Sequence, residues 1–166
     1  MFDLRFIILL LALSFSGAYA SAQTCQVTRI QQEVLTQVNS ARAKARYCGP
    51  QFFKAVPALK WNFQLAAAAN EHSVDMALHN YFEHDSRNGQ PFTDRMARNG
   101  YNWRAAGENI SAGRETVKSA IDSWIKSPGH CANIMKPEFR EVGVACSYHE
   151  ASAYKTYWTM ELGQAR

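Results

Sequence analysis

Near residue 140 the hydrophobic period of this chain changes from 3.6 to 2, and that change limits the folds open to it. Upstream, Val27, Ile30, Val34, Val38, Ala41 and Ala45 recur at helical steps. So do Leu65, Ala69, His72, Met76 and His79, and later Val117, Ala120, Ile121, Trp124 and Ile125. Downstream, Val142, Val144, Cys146 and Tyr148 alternate with Gly143, Ala145, Ser147 and His149. Tyr154, Thr156, Trp158, Met160 and Leu162 alternate likewise. Two such runs joined by about five residues predict an antiparallel hairpin. Helices first and strands late predict an α+β fold, with helices on both faces of a small, mainly antiparallel sheet.

Local punctuation divides the helical part. Thr28 with Gln31 three residues on has the form of a capping box, and Cys48-Gly49-Pro50 stops the first helix. Residues 50–60 are expected to be a connecting loop. Asn62 is a good N-cap for the second helix, and Thr116 for a later one that Pro128-Gly129 ends. Asn88-Gly89 and Asn99-Gly100 mark turns, with a short helix from Pro91 to Arg98 between them. A short strand is expected within 105–112, around Gly107-Glu108-Asn109-Ile110. There is no internal repeat and no linker, so residues 21–166 read as a single domain.

The first 20 residues read as a secretory signal peptide. Arg5 precedes the apolar run Phe6 to Leu13, and Ala18-Tyr19-Ala20 has the A-x-A cleavage form. The run is short for a membrane span, and no later segment could span a bilayer. The protein is therefore expected to be secreted or periplasmic. The four cysteines, Cys25, Cys48, Cys131 and Cys146, are then expected to form two disulfides. Three pairings are open; nearness in sequence favours Cys25–Cys48 with Cys131–Cys146. A cysteine-ligated zinc site would want a C-x-x-C pair, and there is none. The formal charge of +4 is unchanged by loss of Asp3 and Arg5 with the leader. It is too small to imply a nucleic-acid partner.

Of the five histidines, His72 and His79 share one face of the second helix and suit packing, while His149 sits in the hairpin turn and is expected to be solvated. His84, just past a helix, and His130, after Pro128-Gly129, lie in irregular backbone where function tends to collect. Glu108, in Gly107-Glu108-Asn109, would need a cationic or hydrogen-bonding partner if buried, and an imidazole supplies one.

The ordered set Leu59-Lys60-Trp61-Asn62, Phe82-Glu83-His84, Gly107-Glu108-Asn109-Ile110, Trp124 with Ser127-Pro128-Gly129-His130, Asn133-Ile134-Met135, Phe139-Arg140-Glu141-Val142-Gly143-Val144 and Tyr157-Trp158-Thr159 resembles a bacterial-type member of the CAP superfamily. This is the cysteine-rich secretory, antigen 5 and pathogenesis-related 1 group, or SCP domain. The likeness spans roughly residues 28–163. It implies a three-layer α-β-α sandwich with a central cleft, and a cleft tetrad of two histidines and two acids. His84, Glu108 and His130 match three of its positions. Where the second acid is expected, about one turn after Trp124, Lys126 and Ser127 stand instead; Asp122, Glu141 and Glu161 are the candidates to replace it in space.

The resemblance also implies zinc as an optional ligand of His84 and His130, none being obligatory, with Glu108 orienting an imidazole from behind. Two function classes follow. In the first the chain is a binding module whose cleft engages a peptide, lipid or cell-envelope ligand, with Tyr81, Phe82, Trp103 and Trp158 as candidate lining. In the second, a zinc-dependent hydrolase uses Glu108 as general base; the absence of H-E-x-x-H and G-x-S-x-G counts against it. Arg42, Lys44 and Arg46 form a basic stretch that reads as a solvated helix face or a contact for an anionic polymer.

Overall fold

The structure is a computed structural model that describes residues 21–166. The expected signal peptide, residues 1–20, lies outside the described residues. In chain order the elements are β1 (Gln23–Thr24), α1 (Ile30–Arg42), β2 (Arg46–Cys48), β3 (Gln51–Phe53), β4 (Lys60–Trp61), α2 (Phe63–His79), α3 (Phe92–Arg98), β5 (Trp103–Ala112), α4 (Val117–Lys126), α5 (Pro128–Met135), β6 (Glu141–Tyr148) and β7 (Thr156–Ala165). The main sheet runs β1-β6-β7-β5, with β4 added in parallel to β6, and β2–β3 form a separate two-stranded hairpin. All other pairings of the main sheet are antiparallel.

The period-2 stretch folds as expected, and its alternation makes the layers. Val142, Val144 and Cys146 of β6 and Trp158, Met160 and Leu162 of β7 join Val34 and Val38 of α1, Ala120, Ile121 and Trp124 of α4 and Ile134 of α5 in one buried cluster. The intervening residues face α2. There the sheet and helix approach so closely that a Cβ on Gly143 would lie 2.0 Å from the backbone nitrogen of Ala66. Leu65 and Ala68 of α2 pack with Met96 of α3 and Tyr101. The chain is thus a three-layer α-β-α sandwich: α1, α4 and α5 on one face, α2 and α3 on the other.

Several local expectations are corrected. Helix α1 starts after Arg29, which holds φ 64° without a side-chain cap, so Thr28 does not cap it; the helix ends at Arg42, short of Cys48. Arg42 is not on a solvated face. It is buried, and its guanidinium donates to the carbonyls of Pro57, Ile134, Lys136 and Phe139, tying α1 to the segment after α5. The supposed loop 50–60 contains β3 and runs into β4 at Lys60. Pro128 follows the end of α4 but opens α5, at the position where its missing N–H costs nothing. Asn62 and Thr116 cap α2 and α4 as read.

The favoured disulfide pairing is wrong. The bonds are Cys25–Cys146 and Cys48–Cys131, with Cα–Cα distances of 5.4 and 5.5 Å. Strand pairing brings β1 beside β6, so Cys25 N–H donates to the Cys146 carbonyl at 3.0 Å. The β2–β3 hairpin lies against α5, where Cys48 and Cys131 share a small core with Met135. Both bridges join distant parts of the chain, which nearness in sequence could not show.

Candidate functional site

Glu108 lies in the middle of β5, opposite Glu161 of β7, with its side chain on the α2 face of the sheet and buried. Three elements deliver partners to it. His84, in the loop after α2, donates Nδ1–H to Glu108 Oε1 at 2.7 Å. Arg95 of α3 donates from Nη2 to Glu108 Oε2 at 2.5 Å and to the His84 carbonyl at 2.9 Å, while Nη1 holds Ser86 Oγ. His72 of α2 lies with Nε2 4.0 Å from Oε2 and donates that N–H to the Glu83 carbonyl. One buried carboxylate is thus tied to His84 in the loop and to Arg95 of the helix after it, with His72 of the helix before it alongside.

These contacts set the ionisation of the group. Burial opposes the charge on Glu108, but the His84 hydrogen bond and the charges of His72 and Arg95 outweigh it and hold the carboxyl below its usual range. The Glu108 hydrogen bond raises the His84 pKa against the effect of its own burial. Burial pushes His72 down. Glu161 is different. It is fully buried, its oxygens meet no fixed donor, and burial together with the neighbouring Glu108 charge hold its carboxyl well above the usual range. A neutral Glu161 carries a hydroxyl that can face the Glu108 carboxylate, so the buried pair holds a single negative charge.

His130 reaches the same region from the other layer. It sits in the first turn of α5, and its segment is stitched to β5: Asn109 donates its side-chain amide to the His130 carbonyl at 3.1 Å. Asn133, one turn on, donates to the Glu108 carbonyl at 3.1 Å and to Asn109 Oδ1 at 3.0 Å. Burial, with the nearby His84, lowers the His130 pKa and favours its neutral imidazole. His84 and His130 line one open cleft of ≈ 460 Å³, whose wall also includes Phe82, Ser111, Arg114, Ser127 and Tyr154. Because Nδ1 of His84 is committed to Glu108, Nε2 is its ring nitrogen left for the cleft.

The candidates for a fourth acid separate clearly. Asp122 is on the surface with Lys118, and Glu141, at the start of β6 opposite Gly163, binds Asn62 and Tyr101. Only Glu161 stands beside Glu108. Of the aromatic residues proposed to line the groove, Phe82 does so. Trp158 is in the core with its indole N–H on the Arg114 carbonyl, Tyr81 bonds Asp75, and Trp103 packs with the α3 core. His79 is turned outward to Asp75 rather than inward, and His149 is half-buried rather than free in solvent. Tyr154, Arg95, Asn109 and Asn133 were not singled out in the sequence as site residues. Arg95 could have been suspected as a cation on the inner face of a short helix, but nothing local marks the two asparagines as a bridge between β5 and α5.

Comparison with known proteins places this arrangement. The chain is 32% identical over 136 residues to the uncharacterized protein YkwD of Bacillus subtilis, a match covering 81% of this chain and 47% of that protein. An extracellular protein containing an SCP domain from Bacillus anthracis superposes with a TM-score of 0.67 at 29% identity, over 81% of this chain and 40% of that one. An outer surface protein of Borrelia burgdorferi gives a TM-score of 0.72 at 12% identity, over 87% and 99% of the two chains, which is a likeness of fold alone. The chain thus spans about half, or less, of the first two relatives. The model of the cysteine-rich secretory protein family matches residues 35–162, from within α1 to within β7 and across every residue of the cleft just described. This chain belongs to the CAP, or cysteine-rich secretory protein, family.

Proposed function

We propose that the protein is an exported binding module whose open cleft takes an extracellular or cell-envelope ligand, with a divalent cation such as Zn²⁺ held by His84 and His130. The observation that carries this reading is that two imidazoles from opposite layers line one cleft, one of them fixed in tautomer by a buried carboxylate. Export is supported by the apolar leader in the sequence and by the extracellular relative from Bacillus anthracis. Among the described residues no helix is long and apolar enough to cross a membrane.

The donor set suits a weak, open metal site. Among the described residues no three His, Cys, Asp or Glu side chains are grouped to hold a metal. Two neutral nitrogens leave the remaining positions to water or to the ligand, unlike the four protein donors of a structural zinc site. A bound cation would supply Lewis acidity for engaging a carboxylate or carbonyl of the ligand. His84 must lose any proton on Nε2 to bind it, so affinity should rise with pH through the raised His84 range. The zinc-dependent hydrolase reading is weaker. Glu108 is buried, does not line the cleft, and already accepts from His84 and Arg95 on its two oxygens, so it is poorly placed to act as general base there.

Calorimetric titration of the exported chain with Zn²⁺ tests the proposal. One weak site is expected, with a rise in melting temperature that grows with zinc concentration as mass action requires. His84→Ala and His130→Ala should each remove both effects. Absence of heat and of any thermal shift in the wild type, or undiminished binding in His130→Ala, overturns it.

A further inference from the structure

The β2–β3 hairpin has two chemically different faces. Pleating sends alternate side chains to opposite sides. On one side Cys48 is bonded to Cys131 of α5, and Phe53 packs with Cys48, Cys131, Met135 and Val56. On the other side Tyr47 and Phe52 stand directly opposite each other in the ladder, their ring centroids 5.2 Å apart. They are 70% and 53% exposed. The inner face is thus anchored by a covalent bond and an aromatic plug, while the outer face presents an aromatic pair to solvent.

The stretch of sequence that carries this pair has charge of one sign. From residue 34 to residue 70 the sequence contains no Asp or Glu, but it contains Arg42, Lys44, Arg46, Lys54 and Lys60. Arg42 is buried, whereas Lys44 and Lys54 are exposed at the two outer ends of the hairpin. Arg46 is half-buried and its Nε has no partner. Among the described residues none of Lys44, Arg46 and Lys54 forms an ion pair. The element beneath the hairpin, α5, has no acidic residue and is flanked by Lys126 and Lys136.

We propose that this hairpin docks the protein on the surface of an anionic lipid bilayer, with Tyr47 and Phe52 entering the headgroup layer and the exposed Lys44 and Lys54 facing the lipid phosphates. Cations near an anionic membrane surface are attracted to it, and aromatic rings settle at headgroup depth. Phe52 favours a bilayer over a soluble polyanion: its ring offers no hydrogen-bonding atom to a charged polymer, whereas headgroup depth takes it out of water. The disulfide and Phe53 hold the hairpin in place beforehand, so little ordering cost falls on docking. Cys131, which anchors the hairpin, directly follows His130 of the cleft. The proposal stands on the hairpin alone and does not depend on metal binding at His84 and His130.

Co-sedimentation with vesicles of phosphatidylglycerol mixed into phosphatidylcholine, against phosphatidylcholine alone, tests it. The wild type should bind the anionic vesicles, more weakly as salt rises. Tyr47→Ala with Phe52→Ala, and Lys44→Glu with Lys54→Glu, should each lower partitioning about ten-fold or more, each lysine being worth several-fold near such a surface. All four side chains are exposed, so circular dichroism and melting temperature should match the wild type. Phe52→Trp should shift its fluorescence to the blue on anionic vesicles but not with dextran sulfate. No binding to anionic vesicles, or binding by both double variants equal to that of the wild type, overturns the proposal. So does loss of binding in the lysine variant without any blue shift in Phe52→Trp, which would mark the hairpin as a site for soluble polyanions.

Discussion

Glu161 has no solvent exposure, no fixed donor and a carboxylate for a neighbour, so its energetics depend on which of the pair keeps a proton. The folded chain raises the Glu161 pKa; the unfolded chain releases that proton near about 4.3. Below that value the group's contribution to stability is fully present, and it is lost as pH rises toward the folded pKa. Glu161→Gln keeps a donor toward Glu108 and removes the titration. The stability difference between variant and wild type should therefore move in favour of the variant as pH rises from about 4.5 to 7, with a slope of up to about 1.4 kcal/mol per pH unit. Chemical denaturation at several pH values measures this; a difference independent of pH would mean that Glu161 titrates as in the unfolded chain. Glu108 acts in the opposite sense. Its lowered pKa gives stability that is lost as pH falls through the folded value. The sequence made Glu108 visible through its neighbours Gly107 and Asn109 and through family likeness. Glu161 was one of three acids that looked equivalent, because only the register of β5 on β7 puts it opposite Glu108.

Between elements, the contact that most constrains the sandwich is α2 on β6 at Gly143. A methyl group there meets backbone rather than the flexible end of a side chain, so helix and sheet must separate to admit it. Gly143→Ala is expected to cost about 3 kcal/mol or more, the upper end for overpacking, in an equilibrium unfolding measurement. A loss below about 0.5 kcal/mol would show that α2 can shift without cost. The period-2 pattern placed Gly143 on the face opposite Val142 and Val144 but could not say that a helix backbone lies on it. Elements with long, regular patterns were legible: α2, α4, β6 and β7 lie close to where periodicity and caps put them. The short strands β2, β3 and β4 were not, since two or three residues cannot display a period. Helix α5 was hidden because Pro and Gly at a helix start resemble a stop.

Across the whole molecule, the two disulfides close sequence separations of 121 and 83 residues. Cross-links over such long loops remove much entropy from the unfolded chain, so losing either should cost about 2–5 kcal/mol. Their consequences should differ. Cys25→Ser with Cys146→Ser frees β1 from β6, whereas Cys48→Ser with Cys131→Ser frees the β2–β3 hairpin from α5 and loosens the turn that holds His130. Zinc affinity should therefore fall in the second double variant and hold in the first, as titration of both would show. Peptide mapping of the unreduced chain should give the 25–146 and 48–131 pairs and neither of the pairs adjacent in sequence.

By itself the sequence determined the fold class and its family, because alternation, helical spacing and capping residues are local properties that survive without knowing what packs on what. It also pointed to His84 and His130, which line the cleft, and to Glu108, the buried acceptor of the His84 hydrogen bond, each within its own short motif. Only the tertiary structure decided which cysteines pair, which acid joins Glu108, that Arg42 is an internal tie rather than a surface charge, and that Asn109 and Asn133 bind β5 to α5. Those choices depend on strand register and on contacts between residues tens of positions apart, and no local pattern of side chains encodes such distances.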